Sequence, residues 1–302
     1  MLLDRGADVN AQGGLYGNTL RLASEGGYDK IVQMLLDRGA DVNARCGEYG
    51  NALYAASYRG HDKTVQVLLD RGADVNAQGG RYGNALQAAS NRGHDKTVQM
   101  LLDRGADVNA QGGEYGNALQ AASEGGHDKT VQMLLDRGAD VNAQGGQYGN
   151  ALQAASCAGH KEIVQMLLGS RATVNVPGCT ALHYAAEEDH LEIMKLLLVQ
   201  TEPSVLNRCA GRYSKTPLLH AAELGNLEAV KILISAGSVV SAQDGFGETP
   251  LHYAAENGHL DVVKALVQAG SSLDMVDSTG RTPIACAQQK NRVRVVQWIQ
   301  SA

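Results

Sequence analysis

The 302-residue chain is poor in the side chains that build a thick core: aromatic residues make up 4% of it, with one Trp and one Phe. Large aromatics supply much of the buried area of an ordinary globule, so packing here falls to Ala, Leu and Val in thin layers of closely spaced helices. Cysteine is scarce and odd in number, and Cys46, Cys157, Cys179, Cys209 and Cys286 form no C-x-x-C pair. That spacing excludes a zinc ribbon and argues against a disulfide framework, which points to a reducing compartment. Nowhere do about 18 apolar residues run together as a membrane helix needs, and Met1-Leu2-Leu3-Asp4-Arg5 lacks the apolar stretch of a secretory signal. The formal net charge of -6 is spread without long runs of either sign, which leaves no basic stripe for nucleic acid or an anionic membrane. A soluble chain is expected, in the cytoplasm or nucleus, with neither nucleic acid nor membrane as partner.

What the chain has is a period. Tyr16, Tyr49, Tyr82, Tyr115 and Tyr148 recur at a spacing of 33 residues. Five nearly verbatim units are read over 16–176, after a partial unit over 1–15. Three divergent units follow over 177–281, then a last unit over 282–302, all as one array. In the divergent part the phrase around Asn117-Ala118-Leu119 becomes Thr180-Ala181-Leu182-His183, then Thr216-Pro217-Leu218, Thr249-Pro250-Leu251-His252 and Thr282-Pro283-Ile284. The loop around Pro177 is three residues short and that around Pro203 three long, and changes of that size belong in connections.

Each unit reads as two helices. Asn117 and Thr249 are good N-caps, the latter with Pro250 at the first helical position. Leu119, Ala122 and Ser123 then share one face, small enough for neighbouring helices to approach closely. Gly126 ends the first helix. The second begins near Asp128, whose carboxylate suits the positive helix end, and buries Val131, Leu134 and Leu135 before Gly138 stops it. Asp140 to Gly146 supplies the turn residues of a protruding hairpin. No unit buries its apolar faces alone, so stability comes from its neighbours.

These phrases resemble the ankyrin family: T-P-L-H-x-A-A, then G-H, then an apolar helix ending L-L-x-x-G-A-D-V-N, over essentially the whole chain. The first five units depart from it in Asn-Ala-Leu for Thr-Pro-Leu and in a tyrosine such as Tyr115 where Gly is usual. The resemblance implies an all-α ankyrin-repeat solenoid of stacked helix-turn-helix units with protruding β-hairpin loops. The near-verbatim wording is similar to that of large filamentous-fungal ankyrin proteins, including receptor-like proteins with a nucleotide-binding oligomerisation domain. Met1 falls at an internal position of the unit, so the array is expected to be incomplete there. Gln288, Gln289, Lys290, Arg292, Arg294 and Gln297 read as a polar cap at the other end.

Chemistry is hard to find in the sequence. Of nine histidines, His61, His94, His127, His160, His190 and His259 fill the G-H slot, and His183 and His252 the T-P-L-H slot. Such periodic placement is that of hydrogen bonds tying helix ends to loops, with His220 one place off register. The Gly112-Gly113-Glu114-Tyr115-Gly116 phrase lacks the lysine of a phosphate loop and recurs as a turn. Cys157 stands in a varied row without an accompanying base, as a partly exposed free thiol. No enzyme, metal or cofactor is expected.

Four slots differ among the near-identical units: Leu15, Glu48, Arg81, Glu114 and Gln147 at the loop tip; Glu25, Tyr58, Asn91, Glu124 and Cys157 at the end of the first helix; Gly26, Arg59, Arg92, Gly125 and Ala158 beside it; and Arg21, Tyr54, Gln87, Gln120 and Gln153 within it. In the ankyrin family loop tips and first helices line the concave groove where partners bind. A protein-binding site is therefore expected at Glu48, Tyr54, Tyr58, Arg59, Arg81, Gln87, Asn91, Arg92, Glu114 and Glu124, the aromatic and guanidinium groups being typical of binding hot spots. The repeated tyrosines either pack across the loop bases or touch the partner. Two other readings are a groove at Cys157 or His220 for a small molecule or its chemistry, and a structural spacer. A monomeric module within a larger protein is the expected setting.

Overall fold

The computed structural model describes residues 6–13, 17–46, 50–210 and 214–302. It forms two compact units, Met1–Ala172 and Thr173–Ala302, divided close to where the near-verbatim wording ends. Met1 and the four residues after it lie outside the described residues.

The first unit is a stack of helix pairs: α1 (Thr19–Glu25) with α2 (Asp29–Asp37), α3 (Ala52–Arg59) with α4 (Asp62–Asp70), α5 (Ala85–Asn91) with α6 (Asp95–Asp103), α7 (Ala118–Gly125) with α8 (Asp128–Asp136), and α9 (Ala151–Ala158) with α10 (Lys161–Gly169). Every first helix starts at an asparagine, Asn18, Asn51, Asn84, Asn117 or Asn150, whose side chain accepts from the backbone N–H three residues on. Such a cap contributes about 1 kcal/mol. First helices pack on first helices, α5 on α7 and α7 on α9, because their facing Ala88, Ala89, Ala121, Ala122, Ala154 and Ala155 are fully buried and small. In the second helices Val131 and Leu134 are fully buried, while Leu135 is only half-buried.

Side chains tie each pair to the one before it. The G-H histidines place Nε2 on the last carbonyls of the preceding first helix: His61 on Glu25, His94 on Tyr58, His127 on Asn91 and His160 on Glu124, at 2.9 to 3.1 Å. The rings come so close that Gly126 has no alternative, since a Cβ there would lie 2.5 Å from His160 at a φ of +75°. Thr97 and Thr130 donate to Asp62 and Asp95 at 2.7 Å. In the D-V-N turn, Asn76 and Asn109 donate to Gly105 and Gly138 and accept from the backbone of Asp107 and Asp140.

The expected β-hairpins are reduced. Among the described residues the loops carry only isolated antiparallel bridges, Gln12 with Asn18, Gly112 with Gly116, Gly145 with Gly149 and Ala210 with Lys215, and no strand. Side chains supply further bonds to the loop carbonyls. Gln87 Nε2 donates to Ala110, Gly112 and Gly116, each at 3.1 Å, and Gln120 does the same to Ala143, Gly145 and Gly149. Successive loops then bond to one another, Glu114 N–H to Arg81 O and Gln147 N–H to Glu114 O.

The second unit holds α11 (Ala181–Glu187) with α12 (Leu191–Leu198), α14 (Pro217–Leu224) with α15 (Leu227–Ser235), α16 (Pro250–Asn257) with α17 (Leu260–Gln268), and α18 (Pro283–Gln289) with α19 (Val293–Ser301). The long connection around Pro203 folds as one extra turn, α13 (Pro203–Leu206), with Pro at its first position. Here histidine does the work of the glutamines. His183 Nδ1 accepts from Thr180 N–H at 3.2 Å while Nε2 reaches Arg208 O at 3.0 Å, and His252 bridges Thr249 and Arg281 O in the same way.

That substitution makes the second unit acid-sensitive. Burial lowers the His183 pKa to about 4, with Arg208 O opposing and the charge of His220 assisting. The His220 pKa is also lowered, by burial first, with Glu187 and Glu223 opposing and Lys215 assisting. A depressed histidine pKa means that the unfolded chain takes up the proton first, so the stability is complete above pH 6.5 and is lost as pH falls toward 4. About 2 kcal/mol should go between pH 6.5 and pH 5 at His183. Urea titrations across that range should show the loss, and His183→Gln should remove most of it while retaining the fold, because glutamine makes the same bridge in the first unit.

Candidate protein-interaction site

On the loop side of the first unit the tyrosines form a continuous stack. Tyr54 lies parallel to Tyr58 (6.5 Å between ring centres, 4° between planes), Tyr58 faces Tyr82 (5.5 Å, 22°), and Tyr82 faces Tyr115 (5.6 Å, 5°). Offset pairs at such distances add about 0.5 to 1.5 kcal/mol each beyond burial. The Tyr54 hydroxyl accepts from Tyr82 N–H, and burial pushes its pKa up to about 12. Burial likewise raises Tyr82 and Tyr115. Of the two roles left open for the repeated tyrosines, ring-on-ring packing is thus observed for Tyr82 and Tyr115, which also remain half-exposed.

Three arginines attend the rings. Arg59 and Arg92 lie over Tyr58 at 5.5 and 4.7 Å, and Arg81 lies over Tyr82 at 5.6 Å, within reach of a cation–π attraction. Arg59 also bonds Glu25 at 2.9 Å, and Arg81 pairs with Glu114 at the loop tips. These hydrogen bonds hold the Glu25 and Glu114 carboxyls below the usual carboxylate range.

The stack separates two hollows. The larger, about 700 Å³, is lined by Tyr58, Arg59, Asn91, Arg92 and Glu124 together with Tyr82, His94, Tyr115, Gly125 and His127. The smaller, about 560 Å³, is lined by Tyr54, Tyr58 and Arg81 with Arg21, Glu25, Gly80 and Tyr82. Seven of the ten expected residues therefore line these two hollows, and Glu114 sits at the rim on Arg81. Gln87 is placed otherwise: it is 1% exposed, closing a capping box with Asn84 and holding the next loop, so it presents nothing to a partner. Its slot varies because tyrosine, arginine and glutamine offer different ways to fill one buried place. Glu48 lies outside the described residues.

Sequence reasoning left out Tyr82, Tyr115, Arg21 and Glu25. The signal was present, since the first two belong to the repeated tyrosine row and the others to varied slots. What the sequence did not show is that α3 brings Tyr54 and Tyr58 into line with that row.

Elsewhere, Cys157 is half-exposed and in no disulfide, and the His220 ring stands edge-on to His183 at 6.3 Å. Glu248, Asp277 and Cys286 bring potential ligand atoms within 4.8 Å of one another. Arg281 already engages both carboxylates, bonding Asp277 and Glu248, and Asp277 also accepts from Thr279. The cluster is thus a loop clamp.

Stacks of capped helix pairs, held by bonds that repeat from pair to pair, with an open face along the loops, define a repeat solenoid of all-helical class. The chain belongs to the ankyrin repeat family, whose profile for three copies of the repeat matches residues 1–79, 20–112, 53–145, 85–177, 118–208, 152–244 and 218–302. Among solved structures, the crystal structure of the human ASB11 ankyrin repeat domain is similar at 26% identity and a TM-score of 0.65, over 72% of this chain and 96% of that one. No curated protein matches the chain. Ankyrin repeats are in general modules of protein–protein interaction, in keeping with the extended surfaces that stacked repeats present. Among the described residues no helix is long and apolar enough to cross a membrane.

Proposed function

We propose that the chain is a non-enzymatic binding module that docks a partner protein on the loop side of its first unit. The observation that carries this reading is the coincidence of two independent features. The positions at which near-identical repeats differ, Tyr58, Arg59, Asn91, Arg92 and Glu124, are those that line one open hollow beside a stack of tyrosines. Tyrosine loses little entropy for the contact area it provides, and both tyrosine and arginine are enriched in binding hot spots. The repeat wording, similar to that of fungal multidomain proteins, supports a role as the recognition part of a larger intracellular protein.

Replacing Tyr58, Arg59 and Arg92 together by alanine should weaken binding of a captured partner by at least 100-fold, about 3 kcal/mol, with the helical content intact. Protection from hydrogen exchange on binding should appear at residues 54–59, 81–92 and 114–124. Unchanged affinity, or protection confined to the outer helices α4, α6 and α8, would overturn the placement.

A further inference from the structure

If the docking face is as proposed, the charges around the larger hollow define what it accepts. Two guanidinium groups, those of Arg59 and Arg92, lie over the single Tyr58 ring, so their separation is at most the 5.5 and 4.7 Å legs laid end to end. Charges this near are only partly screened at physiological salt. Arg59 is compensated by Glu25 and Arg81 by Glu114. Arg92 pairs with no carboxylate among the described residues, and its slot in the next repeat is Gly125. Glycine brings no side chain to cover Arg92, and the two residues line the same hollow. His94 and His127 also line the hollow, but each commits Nε2 to a backbone carbonyl, and burial lowers the His94 pKa. The remaining charge in the hollow is Glu124, which forms no ion pair among the described residues. The hollow is therefore bipolar, positive at Arg92 and negative at Glu124.

We infer that it takes an acidic segment of the partner protein. A carboxylate side chain of that segment is received by Arg92, and an adjacent flat side chain lies against the exposed parts of Tyr82 and Tyr115. A neutral or basic residue then falls at Glu124. Arginine is suited to this because its planar fork donates to both carboxylate oxygens. The inference rests on the docking face proposed above and narrows it to one class of partner sequence.

The probe is a dye-labelled peptide pool with a Glu-Glu-Tyr core, a lysine toward one end and randomised flanks, titrated by fluorescence anisotropy. The matched pool carries Gln-Gln-Tyr. The glutamate pool should bind, and more weakly as salt is raised, with the glutamine pool at least about tenfold weaker. Arg92→Gln should lower affinity for the glutamate pool about tenfold, while Arg104→Gln on the outer face leaves it unchanged. Glu124→Lys should lower it as well, because the lysine of the pool then meets a like charge. Equal binding of the two pools overturns the inference, as does an Arg92→Gln or a Glu124→Lys protein that binds like the parent. If the peptides fail but the alanine triple variant still loses its captured partner, the docking face stands and the acidic class falls. If neither responds, both fall.

Discussion

Replacing Gln120 by alanine should cost the first unit about 3 kcal/mol, as much as a large core truncation. The side chain is 2% exposed. Its oxygen accepts from Asn117 N–H, and its nitrogen donates to Ala143, Gly145 and Gly149. Alanine strands those groups in a place water reaches poorly, and an unmade buried hydrogen bond costs more than a made one contributes. The loop over residues 143–149 should lose hydrogen-exchange protection before the helices do. Gln120→His should be far milder, since His183 and His252 bridge an N-cap to the next loop by Nδ1 and Nε2. Equal urea midpoints for Gln120→Ala and the parent would show that the bridge is ornamental.

The opposite result is expected one turn further along the same helices. Ser24, Ser57, Ser90, Ser123 and Ser156 are fully buried, and their hydroxyls find no hydrogen-bond partner. A buried hydroxyl without a partner costs on the order of 1 kcal/mol or more. The second unit has alanine in three of its four matching places, Ala186, Ala222 and Ala255, all fully buried, with Gln288 in the last. Changing the five serines to alanine should raise the stability of the first unit by roughly 5 kcal/mol, near-additively because each sits in a different helix pair. The measurement is a denaturant titration of single and combined variants. Destabilisation instead would mean that these hydroxyls bond a helix carbonyl in solution.

Much of the fold was legible because it is written in local rules that recur. Asn117 as cap, Gly126 as stop and Asp128 as restart all fall where those rules put them, and His61, His94, His127, His160 and His259 make the backbone bonds their periodicity implied. The hairpins were overestimated because turn residues specify a reversal of the chain and say nothing of how many rungs follow it, and a single bridge closes each of these loops. The site was only partly legible. Exposure and variation were read as one property, yet the slot holding Tyr54 and Gln87 varies while buried. Tyr82 and Tyr115 barely vary, and they stand in the hollow. Which rings stack is decided by the offset between adjacent repeats, a distance no single unit records.

The ties between helix pairs have one further consequence. Histidine to helix end and asparagine to the next turn run between the same two kinds of surface at every junction of the near-verbatim repeats, and threonine to aspartate joins them at three of the four, Ile163 standing in the threonine slot of the last. Each repeat can therefore follow any other. Loss or gain of a whole repeat creates no novel interface, only a longer or shorter version of the existing one, and it carries the residues of the open face in or out as a block. Recombination between such copies becomes a way of editing what the face recognises without redesigning what holds it up.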